Sequence, residues 1–207
     1  MKFKLVIGDK IYSTWSLRPW LLLKYFNIPF TEVKIKLRDK NTKKNILKFS
    51  PSGRVPCLIY GKIKIWDSLS ICEFLAEKFK NKNLWPKNNI NRIKARNISS
   101  ELHGGFTSLR KNLIMNFLGK NLKFKNNKET SAEITRAKKI IENCLKKSKG
   151  PFMFKKFSIA YAMYVPIMFR FKIYNVKLSF ILEKYLNTLL NMKEIKIWLL
   201  EARKELK

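Results

Sequence analysis

The sequence predicts an α/β domain over residues 1–80 and an all-α domain over residues 91–207, joined by a polar linker at residues 81–90. Three observations predict this division. Short apolar runs and alternating apolar and polar segments, which are typical of strands, are confined to the first domain. Beyond the linker only the helical period of apolar residues remains. The 207 residues are 46% hydrophobic, which is enough to build buried cores, and they show no internal repeat.

The first domain opens with a strand, a helix and a second strand. Lys4 to Gly8 is a short apolar strand, and a helix is predicted from Ser16 to about Phe26. Pro19 falls in the first turn of that helix, where its missing N–H costs no hydrogen bond. The segment FTEVKIKL at residues 30–37 alternates apolar and charged residues, as a half-exposed strand does. The two strands should therefore be parallel, with a right-handed crossover.

A polar stretch, RDKNTKKN, separates this unit from a hairpin and a further helix. The strands CLIY and KIKIW flank Gly61 and Lys62, and glycine suits the positive φ of such a tight turn. Asp67 and Ser68 can then cap a helix that runs to Phe79. The order β-α-β, then β-β-α, gives a four-stranded sheet with one antiparallel hairpin. The predicted fold class is a thioredoxin-like α/β N-terminal domain plus an all-α C-terminal domain, with helices at residues 91–117, 131–147, 158–171, 179–190 and 193–205.

The formal net charge of +31 is the most extreme property of the sequence. A field of this size attracts nucleic acid or an anionic membrane. A dedicated nucleic-acid surface would concentrate arginines and aromatics on one face, whereas the excess here is mostly lysine, spread from Lys2 to Lys207. The lysines accompany abundant Asn, Ile and Phe, which share A/T-rich codons, so compositional drift is the simplest explanation. A nucleic-acid surface and a role with an anionic substrate stay open, but no specific nucleic-acid partner is expected.

Membrane insertion, secretion and a metal site are not expected. No window reaches the roughly 18–20 apolar residues that a membrane span needs, and the N-terminal apolar run is too short for a signal peptide. Cys57, Cys72 and Cys144 are dispersed in apolar surroundings without paired spacing, as buried small hydrophobic residues would be. These observations predict a cytoplasmic protein without a metal.

Several motifs resemble those of one known family. The segments YSTWSLRPWLLLKYFNIPF (residues 12–30), SPSGRVPCLIYGKIKIWDSLSICEFLAE (50–77) and LWP (84–86) resemble the glutathione-binding half of the cytosolic glutathione transferases. The segments ELHGGFTSLRKNLIMN (101–116) and GPFMFKKFSIAYAMYVPIMFRFKIY (150–174) resemble the helical half of bacterial members. The resemblance covers nearly the whole chain and implies the glutathione transferase fold. It also implies glutathione as co-substrate, a homodimer, and a detoxifying reaction with a small, largely apolar electrophile.

The resemblance places the sulfur of glutathione near three hydroxyl groups. Serine-type members, the zeta class above all, carry Ser-Ser-Cys followed by a further Ser and then Arg, which fall here on Ser13, Thr14, Trp15, Ser16 and Arg18. A hydroxyl at the start of a helix can donate to the thiolate, and the helix dipole favours the negative charge. Ser13, with Thr14 and Ser16 beside it, is therefore the predicted catalytic group; helix capping is the simpler role for each hydroxyl. Arg18 is expected to support the site electrostatically or to lie on an exposed face, and Trp15 puts a maleylacetoacetate-isomerase activity in doubt.

The resemblance also implies contacts to the rest of the glutathione molecule. The Val55–Pro56 bond is expected to be cis, so that the backbone of Val55 pairs with the cysteinyl unit. Ser68 at a helix N-terminus suits the γ-glutamyl carboxylate and Asp67 suits the ammonium group, while helix capping is compatible with both roles. Arg54 is expected at the glycyl carboxylate, with a solvated loop position as the alternative.

His103, Arg110 and Met115 belong to the expected second-substrate site, because in the resembling fold their helix lines the cleft. His103 is the only histidine; a general-base role beside Glu101 is one interpretation, and packing or a surface position is the simpler one. Two other functions stay open. A protein of this fold can act by binding without catalysis, and the basic surface can bind nucleic acid.

Tyr161 departs from the family pattern. In FSIAYAMY an acidic residue usually follows Ser-Ile-Ala and completes a capping box with Ser158. Its replacement by Tyr161 predicts a helix cap weakened by about 1 kcal/mol. An aspartate at this position is therefore expected to raise the melting temperature.

Overall fold

The computed structural model describes residues 2–148 and 150–206. Its sheet domain runs in the order β1 (Phe3–Gly8), α1 (Thr14–Tyr25), β2 (Phe30–Ile35), α2 (Thr42–Leu47), β3 (Cys57–Tyr60), β4 (Ile63–Ile65) and α3 (Ser68–Lys78). A 3-10 turn (Lys80–Lys82) leads to the helical region, α4 (Asn89–Gly104), α5 (Thr107–Asn112), α6 (Lys128–Ser148), α7 (Ile159–Ile173), α8 (Phe180–Asn191) and α9 (Lys193–Lys204). The predicted fold class is confirmed, while the limits of the domains and linker stay predictions.

The strands of the described residues form a sheet in the order β2-β1-β3-β4. β1 and β2 are parallel, with Phe3 beside Phe30, as the strand–helix–strand unit predicted. β3 is antiparallel to both β1 and β4. Gly61, in the turn between β3 and β4, has a φ of 60°, the positive value that glycine adopts without strain. The hairpin ends at Ile65, and α3 begins three residues later, at Ser68.

The limits of α1 were predicted wrongly. The helix begins at Thr14 and not at Ser16. Pro19 consequently lies in the second turn, where it cannot donate a hydrogen bond to the carbonyl of Trp15. The short helix α2 was missed, because Ile46 is its one buried residue and the surrounding polar residues hide the helical period.

The helix predicted over residues 91–117 is instead two helices, α4 and α5, followed by irregular chain from Leu113. Phe106 adopts the left-handed conformation, with a φ of 56°, and breaks the helical path. Gly104 and Gly105, directly before it, are poor helix formers that favour such an end.

α7 forms the centre of the hydrophobic core. Its residues are buried apart from Lys172, and both α1 and α4 pack against it. A helix that is buried on all sides is normally apolar throughout. Arg170 is therefore unusual: it is 5% exposed and donates from Nε to the carbonyl of Leu113 at 2.8 Å.

The expectation for Tyr161 is reversed by its surroundings. Tyr161 is fully buried, with its ring centroid 4.8–5.3 Å from those of Phe152, Phe157 and Tyr185. Ser158 precedes α7 but makes no side-chain capping bond. An aspartate here would lose the aromatic packing and bury a carboxylate, so it should lower the melting temperature.

A buried ion cluster joins the loop after β1 to α9. Lys10 is 3% exposed, and its Nζ lies 2.6 Å from Glu32 Oε2 and also contacts the Glu201 carboxylate. The ammonium group lies 4.9 Å from the ring centroid of Trp20. Trp198 of α9 donates from Nε1 to the carbonyl of Lys10 at 2.9 Å. These contacts fasten α9 to the sheet domain.

In the part of the chain that the structure describes, no helix is both long enough and apolar enough to cross a membrane. Cys57 and Cys72 are buried and Cys144 is half-buried, and all three are free thiols. Burial raises the pKa of the Cys144 thiol to about 11.

Candidate functional site

A cleft of about 570 Å³ opens between the sheet domain and the helices α4 and α5. The predicted site residues that line it are Arg54, Val55, Pro56, Asp67, Ser68, His103 and Arg110. Trp15, Ser52 and Trp66 complete the lining. The structure therefore brings most of the predicted glutathione contacts and two predicted second-substrate residues to one place.

The N-terminus of α3 forms one side of this cleft. Asp67 caps the helix, because its Oδ1 accepts hydrogen bonds from the N–H groups of Leu69 (3.0 Å) and Ser70 (3.2 Å). Ser68, the first residue of the helix, is fully buried. A helix N-terminus carries unpaired N–H groups and a positive potential, a combination that suits a carboxylate. The predicted helix cap at Asp67 is confirmed. The Asp67 residue also lines the cleft.

Asp67 also links the sheet domain to the helical region. Its Oδ2 lies 2.5 Å from His103 Nε2, an ion pair whenever the imidazole is protonated. The imidazole packs edge-on against Trp15 at 5.2 Å, and its Nδ1 is buried without a hydrogen-bond partner among the described residues. This contact positions the Asp67 carboxylate. It also occupies Nε2 of His103.

The Val55–Pro56 bond is cis, as predicted, and it lies directly before β3. Val55 is half-buried at the cleft, so its backbone borders the space where an extended peptide would lie. Arg54, just before it, is exposed at the mouth of the cleft. The Trp66–Asp67 bond is also cis.

The three predicted catalytic hydroxyls do not reach the surface of the cleft. Ser13, Thr14 and Ser16 are buried, and none of them belongs to the lining. Ser13 Oγ donates to Ser16 Oγ at 2.7 Å, and Ser16 Oγ also accepts from the N–H of Gly8 at 3.1 Å. Ser13 makes no side-chain capping bond to α1, so its hydroxyl is held by Ser16.

Arg18 is a buried cation beside the N-terminus of α3, not an exposed residue of α1. It is 2% exposed, and its guanidinium carbon lies 4.0 Å from the ring centroid of Trp15. Nη1 makes a long hydrogen bond of 3.4 Å to Ser68 Oγ, and Nε has no partner within the described residues. Burial, followed by the charge of Arg170, lowers the pKa of Arg18 to about 9.

Arg110 reaches the cleft from α5. Its Nη1 donates to the carbonyl of Leu102 at 2.9 Å, and its guanidinium carbon lies 5.3 Å from the ring centroid of Trp15. Met115, in contrast, is 4% exposed, belongs to the core and lies outside the lining of the cleft. The helical wall of the cleft is therefore basic where His103 and Arg110 stand.

Sequence reasoning missed Trp15, Ser52 and Trp66 as lining residues. Trp66 is 45% exposed directly before the helix cap, and a tryptophan between a strand and a capping residue was an available signal. Ser52 stands two positions before Arg54 in the same loop. The sequence pattern identifies Trp15 only as the residue in place of the family's cysteine. A ring of this size at the start of a helix must, however, fill the space beside that end of the helix.

Known proteins resemble the sheet domain in sequence and the whole chain in structure. Residues 12–78 match the family described as glutathione S-transferase, N-terminal domain. Glutathione S-transferase 1 of Dianthus caryophyllus is 36% identical over 73 residues, 35% of this chain and 33% of the plant protein. A probable maleylacetoacetate isomerase of Caenorhabditis elegans is 29% identical over 107 residues, 52% of this chain and 49% of the nematode protein. The chain thus spans about a third and about half of the lengths of these two curated relatives.

The whole chain is similar to solved structures. A glutathione transferase homolog from Burkholderia, solved with bound glutathione, has a TM-score of 0.77 at 15% identity and covers 99% of this chain and 100% of its own. This similarity shows the glutathione transferase fold. The match to the family model covers residues 12–78, within the sheet domain.

Proposed function

We propose that this chain, which has the glutathione transferase fold, binds glutathione in the cleft and adds its thiolate to a small electrophile. One observation carries the proposal. Asp67 and Ser68, at the start of α3, share the cleft with the cis Val55–Pro56 bond and with Arg110 of the helical region. A groove suited to an extended peptide therefore faces a wall that can hold a second substrate. The bacterial, serine-type, zeta-like subclass is part of the same proposal.

The polar groups of the cleft fit the charges of glutathione. The γ-glutamyl carboxylate would accept hydrogen bonds from Ser68 Oγ and the N–H groups of α3, with the Arg18 cation behind them. Asp67 offers a carboxylate to the ammonium group. The backbone of Val55 can pair with the cysteinyl unit, and Arg54 can reach the glycyl carboxylate.

The thiol must ionise, because the thiolate is the nucleophile. We assign its stabilisation to Ser13, with Thr14 and Ser16 as the neighbouring hydroxyls at the start of α1. Either hydroxyl of the Ser13–Ser16 pair can rotate, so Ser16 can donate to Ser13 and leave the Ser13 proton for the sulfur. The positive end of the α1 dipole favours the same charge. The sulfur then bonds to the electrophilic carbon, the leaving group departs with its electron pair, and the thiol proton passes to solvent.

The burial of these hydroxyls favours one alternative, a protein of this fold that binds glutathione without catalysis. Ser13 is 5% exposed and lies outside the lining of the cleft. Such a protein would hold the peptide at α3 but leave its thiol protonated. A maleylacetoacetate-isomerase-like activity is disfavoured, because Trp15 stands where the resembling class has cysteine.

A cytoplasmic homodimer is the assembly that we propose. Exposed apolar side chains lie on β4 and at the start of α4: Ile63 is 56%, Ile90 61% and Ile93 52% exposed. Burial of such residues against a second copy would remove apolar surface from water. Neither a specific nucleic-acid partner nor a membrane is part of the proposal.

Titration with glutathione and conjugation of 1-chloro-2,4-dinitrobenzene test the proposed function. Ser68→Ala should weaken glutathione binding by about tenfold or more, because a hydrogen bond to a charged group contributes about 1.5–3 kcal/mol. Lys111→Gln removes an exposed charge of α5 outside the cleft and should bind as the wild type does. Folded wild-type protein that binds no glutathione would contradict the proposal, and binding without conjugation would favour the non-catalytic alternative.

A further inference from the structure

Three arginines from three different helices form a cluster beside the cleft: Arg18 and Arg110 lie over Trp15, and Arg170 is near enough for its charge to lower the pKa of Arg18. Arg18 of α1 and Arg170 of α7 are buried, and Arg110 of α5 is half-buried. Within residues 2–148 and 150–206, none of the three forms an ion pair with a carboxylate. Burial lowers the pKa of each guanidinium, and the charge of a neighbouring arginine lowers that of Arg18 and Arg170 further. Among the described residues, the cluster is therefore a largely buried positive charge without a carboxylate counter-ion.

The carboxylates close to the cluster are already engaged. Glu133, whose charge acts on Arg110, accepts hydrogen bonds from the N–H groups of Ser108 (3.4 Å) and Leu109 (2.6 Å). Asp67 is bound by the start of α3 and by His103, and the proposed function assigns its carboxylate to the ammonium group of glutathione. Because a buried charge is costly until it is paired, the cluster suits anions supplied from outside the chain.

Glutathione accounts for only part of this positive charge. In the proposed function its γ-glutamyl carboxylate lies over Arg18 and its glycyl carboxylate meets Arg54. Arg110 is left over. It stands on the helical wall opposite α3, and among the described residues only the carbonyl of Leu102 uses one of its five N–H donors.

We propose, on the basis of that function, that the second substrate carries a carboxylate that Arg110 binds. A guanidinium holds a carboxylate through two parallel hydrogen bonds, which fixes orientation as well as adding affinity. The apolar, electrophilic part of the substrate then lies in the cleft that Trp15 lines. The substrate class is a small aromatic carboxylic acid with a leaving group, and Arg110 is the residue that selects it.

A matched pair of electrophiles tests this inference. 4-Chloro-3,5-dinitrobenzoate and 4-chloro-3,5-dinitrobenzamide share the ring and the leaving group and differ in charge. With either compound the glutathione sulfur bonds to the chlorine-bearing carbon, the C–Cl bond breaks, chloride leaves with the electron pair, and the thiol proton passes to solvent. Because the amide withdraws electrons more strongly than the carboxylate, each kcat/KM is divided by the rate constant of the uncatalysed reaction with glutathione. We expect the corrected wild-type value to be about tenfold higher for the benzoate, the effect of a charge-assisted hydrogen bond.

Two variants of α5 make the comparison specific. Arg110→Gln should reduce the corrected benzoate-to-amide ratio to about 1, and Arg110→Lys should retain part of it, because lysine keeps the charge without the planar donors. Lys111→Gln, the matched loss of charge at an exposed neighbour, should keep the wild-type ratio. Melting temperatures of the variants establish that each is folded.

A binding measurement tests the inference without requiring catalysis. Quenching of tryptophan fluorescence by 3,5-dinitrobenzoate and by its amide gives the affinity of each compound without reaction. We expect the benzoate Kd to rise about tenfold in Arg110→Gln and to stay unchanged in Lys111→Gln. Equal Kd values for the two compounds in the wild type, or a rate ratio that Arg110→Gln leaves unchanged, would overturn the inference.

The two failures can be told apart. If the inference alone is wrong, glutathione binds and the neutral amide is conjugated, but charge on the electrophile has no effect. If the proposed function is wrong, glutathione does not bind and neither compound is conjugated, and the inference falls with it.

Discussion

Replacing Arg18 by methionine is expected to stabilise the ligand-free protein while weakening its binding of glutathione. Methionine has a flexible apolar side chain that can fill the space left by the stem of the arginine. Arg18 is almost completely buried, and within the described residues it forms no ion pair. The substitution therefore removes a buried charge without leaving a carboxylate unpaired.

The magnitude follows from the pKa of Arg18 and its contacts. The fall of this pKa from 12.5 to about 9, caused first by burial, corresponds to roughly 5 kcal/mol against the charged form in the folded state. The variant also loses the stacking on Trp15 and the long hydrogen bond to Ser68, each on the order of 1 kcal/mol. We expect a net gain of about 1–3 kcal/mol in the free energy of unfolding, within the range seen when buried ions are replaced by apolar residues.

Urea denaturation of the ligand-free protein measures this gain, and calorimetry provides a second reading. For a chain of this size, 1 kcal/mol shifts the melting temperature by about 2–4 °C. Lys111→Gln is the surface control and should stay within about 0.5 kcal/mol of the wild type. Glutathione should bind about tenfold more weakly to Arg18→Met. A variant less stable than the wild type by more than about 1 kcal/mol would refute the reasoning, because Arg18 would then be net stabilising without a ligand.

Three further predictions concern stability and thiol reactivity. Lys10→Met should lower the free energy of unfolding in urea by about 2–4 kcal/mol, because Glu32 and Glu201 lose their shared cation; unchanged stability would contradict this. In calorimetry Tyr161→Asp should be less stable than Tyr161→Phe by about 3–5 kcal/mol, and the opposite order would restore the capping hypothesis. Since burial raises the pKa of Cys144 to about 11, its alkylation by iodoacetamide, followed by mass spectrometry, should accelerate about tenfold per pH unit up to that value; a rate that levels off near pH 8 would contradict this.

The sheet domain was predictable because its signals are local. The strand CLIY, the turn at Gly61 and the cap at Asp67 each depend on a few adjacent residues, and connection lengths then decide which strands are parallel. The prediction of helix limits failed where the backbone conformation of one residue decides where a helix ends. Phe106 in the left-handed region ends α4, and nothing in its side chain indicates that conformation.

The candidate site was predictable where its residues adjoin the end of an element. Val55, Pro56, Asp67 and Ser68 meet at the cleft because they stand just before β3 or at the start of α3. The arginine cluster was not predictable, because its members come from α1, α5 and α7, and only the packing of these helices brings them together. A single arginine within the apolar segment YVPIMFRF was the local signal of an unusual buried charge.

The central claim is that the cleft holds glutathione as its thiolate. An ultraviolet difference spectrum of the folded protein with glutathione at neutral pH, beside Ser13→Ala and Thr14→Val, tests it most directly. Free thiols have a pKa of about 8.5, so little thiolate forms in solution at neutral pH. A thiolate band in the wild type that disappears in Ser13→Ala is the predicted result, and loss in Thr14→Val alone would move the role to Thr14. Folded wild-type protein that shows neither glutathione binding nor a thiolate band would contradict the account.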